Sequence, residues 1–354
     1  MIAAVTGATG HVGGALVRAL LERGHGVRAL VRSDGRTLGG LDVERIRGDL
    51  GEAASLERAF AGADVVVHAA AHISLLRTDT RLVEAVNVAG TAAVLAACRA
   101  SGVGRLVHFS SIHALEQRPL DRPVDEERPL SDEHPVRGLP PYDRSKAAGE
   151  RLVREAAGAG LDVVILNPTG MFGPFDFKPS LFGRVLVALA SGRLPATVDG
   201  GFDWVDVRDV AASAATAAEQ LAAARGPRGA GARRYLLPGR WASLAEVAGM
   251  VADSTGVPAP LWAAPLWAAR FGAPFSTAAA LIAGHQPLVT GVSLAALRNN
   301  RRVSGARAAA DLDHRPRDLR ETVADTLRWF ADRGMLELPG RARGPAPASD
   351  RSRP

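Results

Sequence analysis

The sequence contains very little cysteine, lysine and tyrosine. Cys98 is the only cysteine among 354 residues, so the chain cannot form an internal disulfide. It lies in the apolar run TAAVLAACRA, where a buried structural thiol is expected. Of the 43 lysines and arginines only Lys146 and Lys178 are lysines, and Tyr142 and Tyr235 are the only tyrosines. A site that needs a lysine or a tyrosine therefore has few positions from which to draw it.

The sequence also shows no signal-peptide pattern at its start and no long uninterrupted hydrophobic run. The N-terminal MIAAVTGATGHVGG has no basic region followed by an apolar one, so we predict no signal peptide and a cytoplasmic location. The apolar segment 259–284 is interrupted by Pro265, Gly272 and Pro274. No part of it reaches the roughly 20 residues of a spanning helix. We predict short buried or pocket-lining helices there and no integral membrane span, with peripheral membrane contact as the alternative.

The positive charge of the chain is concentrated at its C-terminus. The net charge is +6 and the pI about 10.4, values compatible with nucleic-acid binding. However, the last sixteen residues carry four arginines and one aspartate, half of the excess. The rest has no basic stripe interleaved with aromatic residues, and its 47% of hydrophobic residues is typical of a globular protein. We therefore predict no nucleic-acid partner and a disordered tail at 339–354.

Short β-branched runs alternate with alanine- and leucine-rich helical segments over the first half of the chain. IAAV (2–5) is followed by GVRALV (26–31), DVVVHA (64–69), RLVHF (105–109) and LDVVILNP (161–168), with helical sequence between them. Apolar strands that alternate with helices are typical of βαβ units around a parallel sheet buried on both faces. The predicted fold class is α/β, a Rossmann-type doubly wound parallel sheet.

The pattern changes near residue 170, and beyond residue 240 the sequence is mainly helical. We predict a dinucleotide-binding domain at 1–170 and 201–238. A smaller, mainly helical substrate-binding cap is predicted at 171–200 and 239–338.

A glycine-rich turn follows the first strand and opens the first helix. In VTGATGHVGG the residues Gly7, Gly10 and Gly13 have the spacing G-x-x-G-x-x-G. Gly7 permits a tight turn, Gly10 lets the backbone approach a pyrophosphate, and Gly13 allows the helix to lie close to the strand. The helix N-terminus then presents amide donors to the phosphates. This context predicts a dinucleotide site.

The end of the second strand bears on which dinucleotide binds. An acidic residue at this place would bond the ribose 2′-hydroxyl of NAD, whereas an arginine suits the 2′-phosphate of NADP. The strand ends RALVRS with Arg32, so NADP is the predicted cofactor. Asp34 follows two residues later and keeps NAD as the alternative. Asp49 in GDL, after the third strand, is predicted to meet the adenine amino group, unless it only caps the next helix.

Tyr142 and Lys146 stand four residues apart in PPYDRSKAAGE, a spacing that chance would give about once in a hundred such chains. On a helix they share one face. A nearby ammonium lowers the pKa of a phenol from its ordinary value near 10, which would tune Tyr142 for proton transfer to a carbonyl or alcohol oxygen. Arginine lacks the compact ammonium that can also hold a ribose hydroxyl. Ser111, at the carboxyl edge of the fifth strand, is the predicted donor to the substrate oxygen.

Together these motifs resemble the short-chain dehydrogenase/reductase superfamily and its extended branch. The matching pieces are TGATGHVGG, GDL, HAAA (68–71), NVAGT (87–91), FSSIHAL, YDRSK and NPTGMFGPFD, in the order that is typical of the family and over about residues 1–335. Within that branch the chain looks most like the dihydroflavonol-reductase-like and 3β-hydroxysteroid-dehydrogenase-like enzymes. The resemblance implies a catalytic set of Ser111, Tyr142 and Lys146.

The resemblance also implies the residues around the cofactor. Asn87 corresponds to the structural and proton-relay asparagine of the family. His68 and the following alanines would line the cofactor largely through their backbone, and Pro168 and Thr169 would lie near the nicotinamide. The full predicted cofactor-binding set is Gly7, Thr9, Gly10, His11, Val12, Gly13, Arg32, Asp49, Leu50, His68, Ala69, Ala70, Asn87, Pro168 and Thr169.

The predicted function is an NAD(P)-dependent oxidoreductase that reduces a ketone, or oxidises the alcohol, of a small organic substrate. The alternative is a nucleotide-sugar epimerase that retains NAD. A dehydratase is disfavoured, because its relatives carry an Asp-Glu pair where this chain has Ile112 and His113. His113 is either a substrate contact or a packed histidine. No metal site is predicted, since no histidine or carboxylate group has ligand spacing.

Several features of the predicted cap and assembly stay open. The loop 115–141 joins Ser111 to Tyr142 and is a candidate lid. Four aromatic residues of the cap could line a pocket for an apolar ring system or belong to the core, and core is the more common fate: Trp262, Trp267, Phe271 and Phe275. Because relatives in the superfamily are often dimers through paired helices, a homodimer is also open.

Overall fold

The computed structural model describes residues 1–32, 35–133, 138–224, 231–282 and 287–337. Asp34 and the predicted tail at 339–354 lie outside the described residues. The described strands are, in chain order, β1 Ile2–Thr6, β2 Gly26–Val31, β3 Glu44–Arg47, β4 Val65–His68, β5 Arg105–Phe109, β6 Asp162–Pro168, β7 Gly170–Phe172, β8 Thr197–Val198, β9 Gly201–Asp206, β10 Ala232–Leu237, β11 Arg240–Ser243 and β12 Ala263–Ala264.

The described α-helices alternate with the strands in the first half and dominate the last third of the chain. They are α1 His11–Glu22, α2 Ala53–Phe60, α3 Thr80–Glu84, α4 Gly90–Ala100, α5 Pro141–Gly158, α6 Leu181–Ala190, α7 Val207–Ala223, α8 Leu244–Thr255, α9 Leu266–Ile282, α10 Gly291–Ala296, α11 Ala306–Leu312 and α12 Leu319–Asp332.

Seven parallel strands form the main sheet in the order β10-β6-β5-β4-β1-β2-β3. The apolar runs of these strands are buried on both faces, because α1 and α7 cover one face and α2, α4 and α5 cover the other. The strand order reverses between β1 and β4, which opens a crevice at the carboxyl ends of the strands. The predicted Rossmann-type doubly wound sheet is thus confirmed.

The cap is built on a second sheet of order β11-β9-β7, packed against α6, α8 and α12. Phe172, Phe182, Phe202 and Trp204 meet edge to face in its core. The range 201–238 was predicted to belong entirely to the dinucleotide-binding domain. Its α7 and β10 do pack with the main sheet, but β9 lies in the second sheet, because it pairs with β7 and β11.

The apolar segment near residue 270 differs from the prediction. Pro274 does not break the helix but lies inside α9, which runs for 17 residues. Proline lacks the amide that would bond back to the carbonyl of Arg270, and this place in α9 is solvent-exposed, so water can satisfy that carbonyl. The four cap aromatics predicted to be core or pocket residues are instead exposed, and α9 carries three of them: Trp262, Trp267, Phe271 and Phe275.

α3 and α4 are joined by a π-helical turn, Ala85–Ala89, which contains Asn87. The combined helix Thr80–Ala100 is, by length and composition, the one described helix that could cross a membrane. It packs against α2 and α5 in the main layer, as a core helix of a globular domain does.

α5 carries the tyrosine and the lysine of the candidate site. The helix begins at Pro141, where a proline is favoured because the first helical amide has no intrahelical partner. Over its 18 residues, Tyr142, Lys146 and Glu150 recur every four positions and so lie along one face. That face meets the loop that follows β5, and with it Ser111.

Candidate active site

The glycine turn has the geometry that its spacing predicts. Gly7 has a φ of +74°, and a Cβ there would lie 2.5 Å from the amide nitrogen of Ala70. A Cβ at Gly13 would lie 2.1 Å from the carbonyl oxygen of Gly7, so only glycine lets α1 approach the turn. Gly10 is the N-cap of α1, and no side chain caps its first amides. These amides therefore point into the crevice as ready anion donors.

The other predicted residues of the turn surround the same crevice. Thr9 accepts a hydrogen bond through its carbonyl from the Thr37 hydroxyl (3.0 Å), and Val12 packs on the core beneath α1. The His11 ring lies 3.0 Å from the carbonyl oxygen of Pro174, which ties the turn to the loop after β7.

The remaining predicted cofactor residues lie along the carboxyl edge of the sheet. Leu50 packs on the core next to Gly90, whose Cβ would meet the leucine side chain at 2.9 Å. Thr169, just beyond Pro168 at the end of β6, donates its hydroxyl hydrogen to Asp203 Oδ1 (2.7 Å). His68 is fully buried, with its ring nitrogens 2.7 Å from the hydroxyl of Thr6 and 3.1 Å from that of Thr91. Burial lowers the pKa of His68 to about 3, so the ring is neutral and can face the cofactor only through its backbone.

Arginines gather at the end of β2, beyond the adenosine end of the crevice. Arg32 lies 3.7 Å from Asp49 Oδ2, so the two predicted residues do meet. The same open cavity is lined by Arg47 at the end of β3 and by Arg58 of α2. Arg47 and Arg58 were not predicted from the sequence, because neither belongs to a motif. They reach the cavity of Arg32 only because β3 pairs beside β2 in the sheet.

Tyr142 and Ser111 meet at the carboxyl edge of β5. Ser111 is buried, and its hydroxyl accepts a bond from the amide of His113 (3.2 Å) as the N-cap of a short 3₁₀ turn. The Ser111 hydroxyl lies near enough to the Tyr142 phenol to lower the pKa of that phenol. The predicted serine and tyrosine therefore lie side by side, where α5 packs on the turn after Ser111.

The pKa of Tyr142 is shifted in the direction opposite to the one predicted. Burial raises it to about 12, the Ser111 hydrogen bond opposes that rise, and the Asp143 carboxylate adds to it. The ammonium of Lys146 does not lower the pKa of Tyr142, because it is directed at the carbonyl oxygen of Phe109. Tyr142 is thus a neutral phenol across the physiological range and holds a proton that it can donate.

The ammonium of Lys146 lies at the end of β5, two residues before Ser111. Lys146 is buried, and its Nζ donates a hydrogen bond to the carbonyl oxygen of Phe109 (2.7 Å), the last residue of β5. Burial lowers the pKa of Lys146 to about 8, and the Glu150 carboxylate partly restores it. The lysine therefore still carries its charge near neutral pH, at the edge of the sheet where the crevice opens.

Glu150 anchors a buried polar network that the sequence analysis did not foresee. Its Oε2 accepts from the Ser110 hydroxyl (2.6 Å) and from Asn167 Nδ2 (2.9 Å), and its Oε1 accepts from Arg234 Nε (2.8 Å). Asn167 Nδ2 also donates to the carbonyl oxygen of Ser111 (2.9 Å). The network therefore fixes the backbone of Ser111. The i+4 spacing from Lys146 was the only signal in the sequence.

Asn87 connects the π turn to α5. Its Nδ2 donates to the hydroxyl of Ser145 (2.9 Å), which in turn donates to the carbonyl oxygen of Tyr142 (2.7 Å). Its Oδ1 and Nδ2 also bond the backbone of His72. Asn87 thereby holds the first turn of α5 against the segment that follows β4.

His113 lies against Tyr142. Its ring is edge-on to that of Tyr142, with centroids 6.0 Å apart, and its Nδ1 lies 3.4 Å from Asp143 Oδ1. The Asp143 carboxylate raises the pKa of His113 against the effect of burial. The ring is half-buried beside the Tyr142 phenol, a position that agrees with both predicted roles, a packed histidine and a substrate contact.

The candidate lid is largely tied down. Arg128 donates to the carbonyl oxygens of Arg118 and Arg122, and Arg234 Nη1 donates to those of Glu126 and Arg128. The loop from residue 115 to 133 is therefore held by buried guanidinium groups. Residues 134–137 lie outside the described residues.

A dinucleotide fits these residues. The backbone of the turn is left open by glycines whose Cβ atoms would fill it, the first amides of α1 are uncapped, and arginines surround the adenosine end. Asn87, Pro168 and Thr169 lie toward the opposite end, where Ser111, Tyr142 and Lys146 also meet.

Comparisons with known proteins agree with this site. Residues 3–229 match the NAD dependent epimerase/dehydratase family. The chain is 37% identical to sterol demethylase protein B of Methylococcus capsulatus, over 95% of this chain and 100% of that protein. It is 33% identical to a putative dihydroflavonol 4-reductase of Synechocystis sp., over 94% of this chain and 95% of the relative. The crystal structure of gox2253 superposes with a TM-score of 0.79 at 33% identity, over 95% of this chain and 99% of that one.

Both named relatives match nearly from end to end, and the family match spans the glycine turn and the tyrosine–lysine pair. The chain therefore belongs to the NAD-dependent epimerase/dehydratase family, in the extended branch of the short-chain dehydrogenases/reductases, and is an NAD(P)-dependent oxidoreductase.

Proposed function

We propose that the chain is an NADP-preferring reductase of a ketone on an apolar small molecule, with Tyr142 as the proton donor. The observation that carries this proposal is the position of the Tyr142 phenol beside Ser111, with the buried ammonium of Lys146 one turn further along α5 and bonded to the last residue of β5. The bound nicotinamide supplies the hydride. The side chains have to bind the carbonyl oxygen, stabilise the charge that develops on it and deliver a proton.

Each member of the set has a distinct task in this proposal. The raised pKa of Tyr142 keeps its phenol protonated, so it can donate to the oxygen as negative charge builds up there. The Ser111 hydroxyl donates a second hydrogen bond to the same oxygen. Lys146 donates to the carbonyl oxygen of Phe109 and would use its remaining protons to hold a hydroxyl of the nicotinamide ribose. His113, beside the phenol, would border the substrate.

The preference for NADP is proposed from the arginines at the end of β2. A 2′-phosphate carries close to two negative charges at neutral pH, and guanidinium groups bind phosphate in a bidentate manner. Arg32, Arg47 and Arg58 line one cavity. Asp49 lies 3.7 Å from Arg32 and can orient its guanidinium. The 2′-hydroxyl of NAD carries no charge to pair with these three guanidinium groups, whose charge the two carboxylates of the cavity, Asp49 and Glu52, offset only in part.

The substrate class is proposed from the relatives. Their names refer to a sterol and to a dihydroflavonol, both of which are polycyclic and largely apolar. We expect a ketone on such a ring system rather than on a nucleotide sugar.

The test is to identify the nucleotide that the purified protein carries and then to titrate the emptied protein with NADPH and NADH. We expect tighter binding of NADPH and turnover of cyclic ketones. Tyr142→Phe should lower kcat by about 10²–10⁴-fold while NADPH binding is kept, since only the proton donor is lost. Tyr235→Phe is the matched control, because Tyr235 donates to Asp311 far from Ser111.

The preference for NADPH over NADH is tested with Arg32→Ser. Loss of a charge-assisted bond should weaken NADPH binding about tenfold or more and leave NADH binding unchanged. Firmly retained NAD and turnover of nucleotide sugars would replace the reductase by the epimerase. Full activity of Tyr142→Phe would show that the phenol is not the proton donor.

A further inference from the structure

We propose that α9 docks the protein on an anionic lipid surface. This inference is independent of the reaction and of the cofactor. It starts from an outward face of α9 on which large apolar side chains recur. Trp267 is 68% exposed, Phe271 77% and Phe275 79%, at a spacing of four residues that places all three on one side of the helix. We name this surface, together with the exposed side chains of Leu261, Trp262 and Ile282, the α9 face.

The opposite side of α9 is the one that packs on the protein. Ala273 is buried there, and Leu266 and Ala269 pack on a small cluster with Leu294 of α10 and with Phe202 of the cap sheet. The helix is therefore held by its inner side, and the exposed aromatics are not required for its attachment. Soluble monomers rarely expose a contiguous apolar surface of this kind, and such a surface marks a binding site for a partner.

The charge around the α9 face favours a lipid surface. From residue 254 to 310 the sequence has five arginines and no aspartate or glutamate; of these arginines Arg307 pairs with Glu127, and the exposed Asp199 is bonded through its amide to Ala264 of β12. Arg270, on α9 itself, and Arg298, after α10, are exposed, and no described residue forms an ion pair with either. The cytoplasmic leaflet of a membrane carries a negative surface potential, which attracts such arginines.

The residue types agree with this partner. Tryptophan is enriched at membrane–water interfaces, because its ring is apolar while its N–H can bond to the headgroup region. A helix with tryptophan and phenylalanine on one side lies in the plane of the interface, with its apolar side in the acyl boundary. With 17 residues and an inner side bound to the protein, α9 lies on the bilayer rather than spanning it.

A second copy of the chain fits the α9 face less well. A two-fold contact places the same surface on both sides of the interface, so Arg270 of each copy would meet a surface that has arginines and no carboxylate of its own segment. Like charges that face each other oppose association, whereas an anionic bilayer supplies the opposite charge.

The test is sedimentation with vesicles of phosphatidylcholine and phosphatidylglycerol, compared with vesicles of phosphatidylcholine alone. We expect the full chain to bind the anionic vesicles more tightly and to be released by added salt. Trp267→Ser/Phe271→Ser/Phe275→Ser should abolish binding. The matched control is Leu82→Ser/Leu120→Ser, which removes exposed apolar side chains away from α9 and should bind like the wild type. Arg270→Gln should weaken binding to anionic vesicles about fivefold and leave neutral vesicles unaffected.

A second measurement does not depend on how the triple variant folds. Acyl chains brominated near the headgroup should quench tryptophan emission of the wild type, and Trp262→Phe/Trp267→Phe, which keeps the apolar character, should lose most of this quenching. Wild-type protein that ignores anionic vesicles, or a folded triple variant that binds them fully, would overturn the proposal. Light scattering that shows a dimer of the wild type and a monomer of the triple variant, without vesicle binding, would assign the α9 face to a second copy instead.

Discussion

Replacing Glu150 by glutamine tests whether the buried network is needed for stability. Glu150 is fully buried, and its two oxygens accept from Ser110, Asn167 and Arg234. Glutamine keeps the shape but has one acceptor oxygen and an amide that donates. Whichever way the new amide is turned, its hydrogens face either the Asn167 donor or the guanidinium. Arg234, itself buried, then carries a positive charge without its carboxylate partner.

The size of the effect follows from this unpaired charge. Breaking a buried ion pair by removing one partner costs about 3–5 kcal/mol. Glutamine still accepts one of the bonds, so we expect the low end, about 3 kcal/mol in the free energy of unfolding. For a protein of 354 residues that corresponds to a fall in Tm of about 4 °C. Urea titration and thermal melting of the cofactor-free protein both measure it.

The control is Glu155→Gln, the same chemical change at an exposed position of the same helix. It should leave the unfolding free energy within about 0.5 kcal/mol of the wild type. If the two variants melt together, the buried charge is not what stabilises this layer, and the reasoning is refuted. Arg234→Gln should be destabilised as well, and the double variant by less than the sum of the two, because the second change removes a charge that the first left unpaired.

Two further predictions concern residues at the ends of the crevice. Lys146→Met should raise the unfolding free energy of the cofactor-free protein at about pH 7 by about 2 kcal/mol. The fall of the lysine pKa from its ordinary 10.5 to about 8 is worth about 3 kcal/mol, and loss of the hydrogen bond to the Phe109 carbonyl offsets about 1 kcal/mol of it. Between about pH 8 and pH 10.5 the unfolded chain binds one more proton at this lysine than the folded chain, so the unfolding free energy of the wild type should rise with pH there. If urea titrations of Lys146→Met show the same rise, the lysine is not its source. Gly7→Ala should abolish NADPH binding and lower Tm, whereas Gly24→Ala, at a similar φ of +76° but in open space, should bind normally and lose only about 1 kcal/mol. Equal loss in both variants, by calorimetric titration and melting, would mean that backbone strain and not the close approach explains Gly7.

The sequence predicts well wherever one residue type is needed for a local reason. The glycine turn is such a case, because the φ of Gly7 and the contact of Gly13 can be read from spacing next to a strand. The serine, tyrosine and lysine are another, since the ends of parallel strands meet at one edge. Arg47, Arg58 and Glu150 are different, because their partners come from other elements of the fold: Arg47 of β3 and Arg58 of α2 share a cavity with Arg32, and Glu150 of α5 bonds to Arg234 of β10.

The direction of the Tyr142 pKa shift shows what spacing leaves out. Four residues on a helix bring Tyr142 and Lys146 to one face, but the sequence does not tell which acceptor the ammonium finds. The ammonium of Lys146 bonds to the carbonyl oxygen of Phe109, and burial of the Tyr142 phenol then raises the pKa of Tyr142. α9 was misjudged for a related reason. Apolar composition predicts burial on average, and whether a particular helix face has a partner depends on tertiary packing.

The single thiol of the chain makes it well suited to site-specific labelling. Cys98 is fully buried, and burial raises the pKa of its thiol to about 12, so almost no reactive thiolate exists at neutral pH. Maleimide reagents should therefore not react with Cys98 in the folded wild type. A cysteine introduced at an exposed position, such as Phe275→Cys, would be the one reactive group in the molecule, and a fluorophore placed there would report directly on the surroundings of that surface.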